Sequence, residues 1–194
     1  MNNEDKLFKF MMEVNLSWTS EFHNRLNLAL KEKYDDISDS QSSEHIRLKH
    51  VYKDGFPAKL RETTFLLMFG HFEEMMFLLW RDKNSKSISL GSGYGILKFK
   101  PYIRDILGDS LSINKDYQTI RDAQLVRNSL IHIAGRVSLS KDREKLELLI
   151  KNNSSLYYLE NDRVNISIAG LQKIHSAIDG FTGTLHEMSI AEKC

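Results

Sequence analysis

Near its start the chain carries seven apolar residues in helical register. Leu7, Met11, Val14, Trp18, Phe22, Leu26 and Ala29 step by 4, 3, 4, 4, 4 and 3. That spacing gathers them on one side of an α-helix, and it predicts one long helix over Glu4 to Tyr34 with this stripe as its apolar face. A second long helix, Ala58 to Asp82, is apolar nearly all round, from Phe65 to Trp80. Such a helix belongs at the centre of a bundle or at a dimer interface. Only two prolines occur in the chain, which suits long helices.

Between and after these two lie shorter elements. Asp35 to Ser43 is a polar linker, and Glu44 to Lys53 is a short helix carrying His45, Arg47, Lys49 and His50. Asp54-Gly55-Phe56-Pro57 is expected to stop it with a turn. Arg81 to Gly95 is a loop by composition, with Lys83, Lys86, Lys98 and Lys100 in or near it. Its alternating glycines lack the Gly-Lys-Ser/Thr of a P-loop. Ile96 to Leu107 is a helix with Pro101 in its first turn. Lys141 to Asn152 is a further short helix. Leu156 to Leu159 and Val164 to Ile168 flank a Glu160-Asn161-Asp162 turn as a β-hairpin, which must lean on the bundle to be stable. Ile168 to Met188 closes the chain as a helix, with His175 and His186 at its surface or edge, and His23 is placed likewise on the first helix.

Length and charge narrow the function classes. At 194 residues a single domain, 1–194, is the default. Basic and acidic side chains number 27 and 26, so any nucleic-acid site is a local patch rather than a global field. Cys194 is the one cysteine, which allows no disulfide framework within the chain and fits a reducing, cytoplasmic setting. The first residues, MNNEDKLFKF, do not read as a signal peptide, and Phe65 to Trp80 is too short and too charged for a membrane span. No His-Glu-x-x-His and no Cys pair points to a metal, and no cofactor is implied.

The chemistry lies in Tyr117 to Val137, YQTIRDAQLVRNSLIHIAGRV. Tyr117, Ile120, Ala123, Val126, Leu130, Ile131 and Ala134 form the apolar face of a helix capped at Asp116, with Gly135 as a left-handed C-cap. Arg121, Gln124, Asn128, His132 and Arg136 form a polar line. Arg127-Asn128-Ser129-Leu130-Ile131-His132 joins a permanently charged fork to a group that exchanges protons near neutral pH. The pair suits phosphate chemistry on RNA, where the neighbouring 2′-hydroxyl is the nucleophile. Five residues at about 100° each set Arg127 and His132 roughly 140° apart around the axis. They converge if the Arg chain curls round, or if a second copy of the helix supplies one partner. The plainer reading is an Arg paired with a carboxylate and a His packed in the core.

Arg127-Asn128-x-x-x-His132 followed by Gly135-Arg136-Val137 resembles the signature of HEPN domains (higher eukaryotes and prokaryotes nucleotide-binding). The setting is also similar, late in a mostly helical chain, after two long helices and before a closing one. The resemblance implies an all-α, HEPN-like helical bundle with two long antiparallel helices and a small β-hairpin before the last helix. It implies a homodimer whose motif helices face each other, and a metal-independent endoribonuclease acting on RNA in toxin–antitoxin or antiviral defence. An antitoxin or defence partner protein would accompany it. Arg127, His132 and Asn128 would be catalytic, with Arg136 in support. An acidic residue on the second long helix, Glu73 or Glu74, would hold Arg127, and the sequence leaves the choice open. The resemblance equally admits a non-catalytic module that dimerises or binds a nucleotide or partner. Where one toxin subgroup has a Tyr two residues after the His, this chain has Ala134, so control by modification of that Tyr is not supported.

Overall fold

The computed structural model describes residues 3–37, 42–83 and 86–191. Cys194, the Lys83 side chain and part of the Asp35–Ser43 linker lie outside them. The described chain is mostly helical. Helix α1 spans Asn3–Asp35, α2 Ser43–His50, α3 Phe56–Lys83, α4 Lys100–Leu107, α5 Lys115–Ile133, α6 Arg143–Asn152 and α7 Ile168–Ala191. Strands β1 (Tyr157–Glu160) and β2 (Arg163–Ile166) pair antiparallel just before α7. Their two-residue turn, Asn161 and Asp162, has φ of 50° and 64°, the mirror-image turn that matches strand twist.

The two long helices run antiparallel. His71 Nε2 on α3 donates to the Met12 carbonyl on α1 at 3.1 Å, and Thr64 pairs with His23 Nδ1 at 3.1 Å, so one helix descends as the other rises. Helix α3 is the centre of the bundle, as its all-round apolar character predicts. Phe65, Phe72, Met75, Met76 and Leu79 are fully buried, with α1, α7, α5 and β2 packed around it.

Helix α1 turns a different side to the core than its stripe suggests. Phe8, Met12 and Leu16 are buried, whereas Trp18 is 70 % exposed and Leu7, Met11, Phe22 and Leu26 are also exposed. The helix therefore has two apolar faces, one against α3 and one uncovered. Periodicity identifies a stripe, but it does not say which of two stripes meets the core. His23 and His186 are likewise inside rather than at the surface. His186 is 2 % exposed and stacks on Phe8 with ring centroids 4.8 Å apart. Desolvation lowers the pKa of both His23 and His71.

The expected stop at Asp54–Pro57 is instead a continuation. A single π-helical turn, Val51–Gly55, joins α2 to α3, with the Phe56 N–H bonded to the Val51 carbonyl. A π turn widens the helix, and the proline that follows has no N–H to lose. Ile96 to Leu107 divides into a 3₁₀ stretch, Gly95–Phe99, and α4, with Pro101 in the first turn of α4.

Candidate functional site

Helix α5 begins at Asn114, not Asp116. The Asn114 side chain accepts from the Tyr117 N–H at 2.8 Å, and this capping bond fixes the start of the helix. Tyr117, Ile120, Ala123, Val126 and Leu130 are buried against α7 and α3, as their spacing predicts, while Ile131 is exposed. The far end is held by the hairpin. Ala134 and Gly135 both adopt positive φ, 50° and 76°. A Cβ on Gly135 would stand 3.3 Å from Leu130 Cδ2 and from the Val164 carbonyl oxygen, so glycine suits both the backbone and the space. The Val164 N–H donates to the Gly135 carbonyl at 2.9 Å, and Arg163 donates to the Ala134 carbonyl. Arg61 on α3 bonds the Ile166 carbonyl and the Tyr158 hydroxyl, which ties the hairpin to the central helix.

Between these fixed ends sits the motif. Arg127 Nη2 lies 3.3 Å from Glu73 Oε1, and Nη1 donates to Asn128 Oδ1 at 3.2 Å. The open choice between the acids is thereby answered in geometry. Glu73 meets Arg127, while Glu74 points the other way, 3.9 Å from His71. The guanidinium thus makes one hydrogen bond, to Asn128, and one ion pair, to Glu73, and is partly exposed. His132 is exposed, and no hydrogen bond or ion pair from the described residues holds its ring. The helix is uninterrupted from Lys115 to Ile133, so Arg127 and His132 keep their wide angular separation and do not touch within one copy.

The polar line divides into separate roles. Gln124 is buried; its Nε2 donates to the Tyr94 carbonyl and its Oε1 accepts from the Ile96 N–H, each at 3.0 Å. It clamps the glycine-rich loop onto α5. Gly95, at φ 56°, permits the clamp, because a Cβ there would come within 2.6 Å of Gln124 Oε1. Arg136 lies beyond the helix, bridged in β fashion to Arg163. The Asp162 carboxyl is held below its ordinary pKa mainly by the Ser138 hydroxyl, then by the Ser138 N–H, with the Arg136 charge assisting. Arg136 thus faces the hairpin turn. Ser129, inside the motif and unmarked by the sequence, has a buried hydroxyl with no hydrogen-bond partner among the described residues.

The cavities bounded by described residues include the following. One of about 500 Å³ is lined by Lys100, Arg104, Asp109, Ser112, Gln118 and Arg121 among others, between α4 and α5. One of about 410 Å³ lies over the exposed face of α1, with Trp18, Phe22, Leu67, His71 and Glu74. One of about 290 Å³ lies between α1, α3 and α7, with His23, Thr64 and His175. Arg104, unmarked by the sequence, enters the first by its place on α4. Among the described residues no three His, Cys, Asp or Glu side chains stand where they could hold a metal ion, and no helix is long and apolar enough to cross a membrane. Comparison with protein-family models, with curated proteins and with solved structures finds no match to this chain.

Proposed function

We propose that the chain is a metal-independent endoribonuclease of the HEPN type, working as a homodimer in the cytoplasm as a toxin or antiviral-defence effector. The observation that carries this reading is the state of the motif. Arg127 is braced by Glu73 and Asn128 and is partly exposed, and His132 is exposed on the last turn of the same helix. In the proposed reaction the 2′-hydroxyl oxygen attacks the adjacent phosphorus and its proton leaves to a base. The bond to the 5′-oxygen breaks as that oxygen gains a proton. His132 serves as the base or the acid. Arg127 donates to the phosphoryl oxygens as charge builds on them. Two copies meeting at their motif faces set the Arg127 of one beside the His132 of the other, with the exposed Ile131 and Leu139 as contact. An antitoxin or defence partner would restrain such an enzyme. The decisive assay is cleavage of labelled RNA in excess chelator; absence of any cleavage by a well-folded dimer would sink the reading.

Glu73 is a positioning residue in this scheme. Glu73→Gln keeps the shape and loses the charge, and it is expected to lower cleavage by about 10-fold, because a side chain that orients a functional group acts only through that group. Glu74→Gln is expected to stay near wild type. The split between kcat and KM, with kcat falling in Glu73→Gln alone, is the readout; equal behaviour of the two variants would remove Glu73 from the scheme.

A second reading, a non-catalytic module that dimerises, rests on the uncovered face of α1. Its stripe is nearly symmetric about Trp18, with Leu7 and Ala29 eleven residues to either side and Val14 and Phe22 four. An antiparallel mate across a two-fold axis at Trp18 therefore matches apolar to apolar, as an isologous interface requires. Trp18→Glu is expected to change stability by no more than about 0.5 kcal/mol, because the side chain is largely in solvent. If α1 forms the dimer, the same change halves the solution mass by light scattering. Unchanged mass, together with dissociation by Ile131→Glu, would assign dimerisation to the motif face.

A further inference from the structure

We propose that the basic cavity between α4 and α5 is a phosphate anchor for a single RNA strand. Tyr94 would act as a base platform between this anchor and His132. The inference rests on the ribonuclease reading for its substrate class. Lys100, Arg104 and Arg121 line the cavity with Asp109 as the one acid, three positive charges against one negative, a local net of +2. Among the described residues, no carboxylate lies within ion-pair distance of these three cations. Arg121 makes a 3.5 Å bond to Gln118 Oε1, stands over the Tyr117 ring and lies close enough to Asp122 to offset part of the rise in pKa that burial gives that carboxyl. In a chain whose total charge is +1, this is a concentrated positive site.

Position links it to the motif. Arg121 and His132 are eleven residues apart on one unbroken helix. That is about 16 Å along the axis and about 20° around it, so the two lie on the same face. Gln124, three residues past Arg121 and eight before His132, fastens the Tyr94 backbone within this interval, nearer the anchor. The Tyr94 ring is nonetheless 86 % exposed, the largest value among the exposed apolar side chains. An aromatic ring whose backbone is tied to α5 by Gln124 and which is left in water suits the face of an unpaired base, and the cluster of cations beside it suits the backbone that carries the base. A free mononucleotide would use the cavity alone and leave Tyr94 without a role.

The test uses the full chain and a 2′-O-methyl oligoribonucleotide, which binds without being cut. Fluorescence anisotropy is followed against salt. Lys100→Gln, Arg104→Gln and Arg121→Gln are each expected to weaken binding about equally across sequences and to reduce the salt slope by about 0.7. Arg121→Lys is expected to keep most of the affinity. Tyr94→Ala is expected to weaken binding by about 5- to 150-fold. Unchanged affinity and slope in the three cation variants would overturn the anchor, and a mononucleotide competing as well as the oligonucleotide would overturn the strand. Failure of the anchor and failure of the nuclease are separable. Cleavage lost in His132→Ala, with binding indifferent to the cation variants, refutes only the anchor. Binding that depends on those cations, with no cleavage of unmodified RNA, refutes only the nuclease. Absence of any binding refutes the anchor outright.

Discussion

Replacing His132 by Ala is expected to lower RNA cleavage by about 10²- to 10⁴-fold with the fold intact. The imidazole is exposed and makes no bond to the described residues, so its removal empties no core space and orphans no partner among them. Stability is expected to stay within about 0.5 kcal/mol of wild type, by urea titration. Arg127→Ala is expected to lower cleavage by about 10²- to 10³-fold, as loss of a donor to a developing oxyanion does. That change also leaves Glu73, which is only partly exposed, without its cation. The two variants together test the angular problem. If one copy's Arg127 works with the other's His132, a mixed dimer of His132→Ala and Arg127→Ala chains contains one intact pair. Mixing the two inactive proteins is then expected to restore part of the cleavage. Single-turnover rates in chelator measure all three cases. Cleavage that survives both substitutions would remove the proposed site. Failure of the mixture to recover, with exchange of chains verified, would confine the pair to one copy and contradict the composite cleft.

How much of this was legible in the sequence depended on the kind of information each feature needs. Helix α3 was legible because a helix apolar nearly all round belongs at the centre of a bundle, and the buried side of α5 because one-sided burial on a helix leaves a period in the sequence. The hairpin was legible because alternation in Val164 to Ile168 and the Asn161-Asp162 turn are local signals. The orientation of α1 was not, because both of its faces are apolar and only packing against α3 chooses Phe8, Met12 and Leu16 over Trp18. The burial of His23 and His186 followed from that same choice. Within the motif, the residue types were visible but their partners were not. Glu73 and Glu74 are neighbours in sequence, and about 100° of helical rotation separates a contact to Arg127 from a contact to His71. Gln124 looked like one more member of a polar line; only the loop folded against it makes it a clamp. The basic cavity was hidden for a similar reason, since Lys100 and Arg104 join Arg121 across an intervening turn rather than along one helix.

Replacing Phe72 by Ala is expected to cost about 3–5 kcal/mol, the largest stability effect anticipated in the chain. Phe72 is fully buried on the central helix, so truncation removes apolar contact and opens a cavity that the packed surroundings only partly fill. Its ring stands 6.3 Å from Phe69 and 6.5 Å from Phe181, and Phe181 stands 5.8 Å from Tyr117. This line of rings joins α3 to α7 and α7 to the first turn of α5. The helix that carries Arg127 is therefore seated on the same aromatic contacts that Phe72 supports. Glu73 is the next residue along α3, so slack at Phe72 moves the carboxylate that braces the guanidinium. In urea the midpoint is expected to fall with an unchanged slope, which would mark a loss of native stability rather than a change in the unfolded chain. Heat is expected to melt the variant roughly 6–20 °C earlier. Phe77→Ala, at a ring 41 % exposed on the same helix, is expected to cost less than about 1 kcal/mol and serves as the internal comparison. Equal losses at the two positions would mean that Phe72 is not packed in the core, and the placement of α5 on α7 and α3 would fall with it.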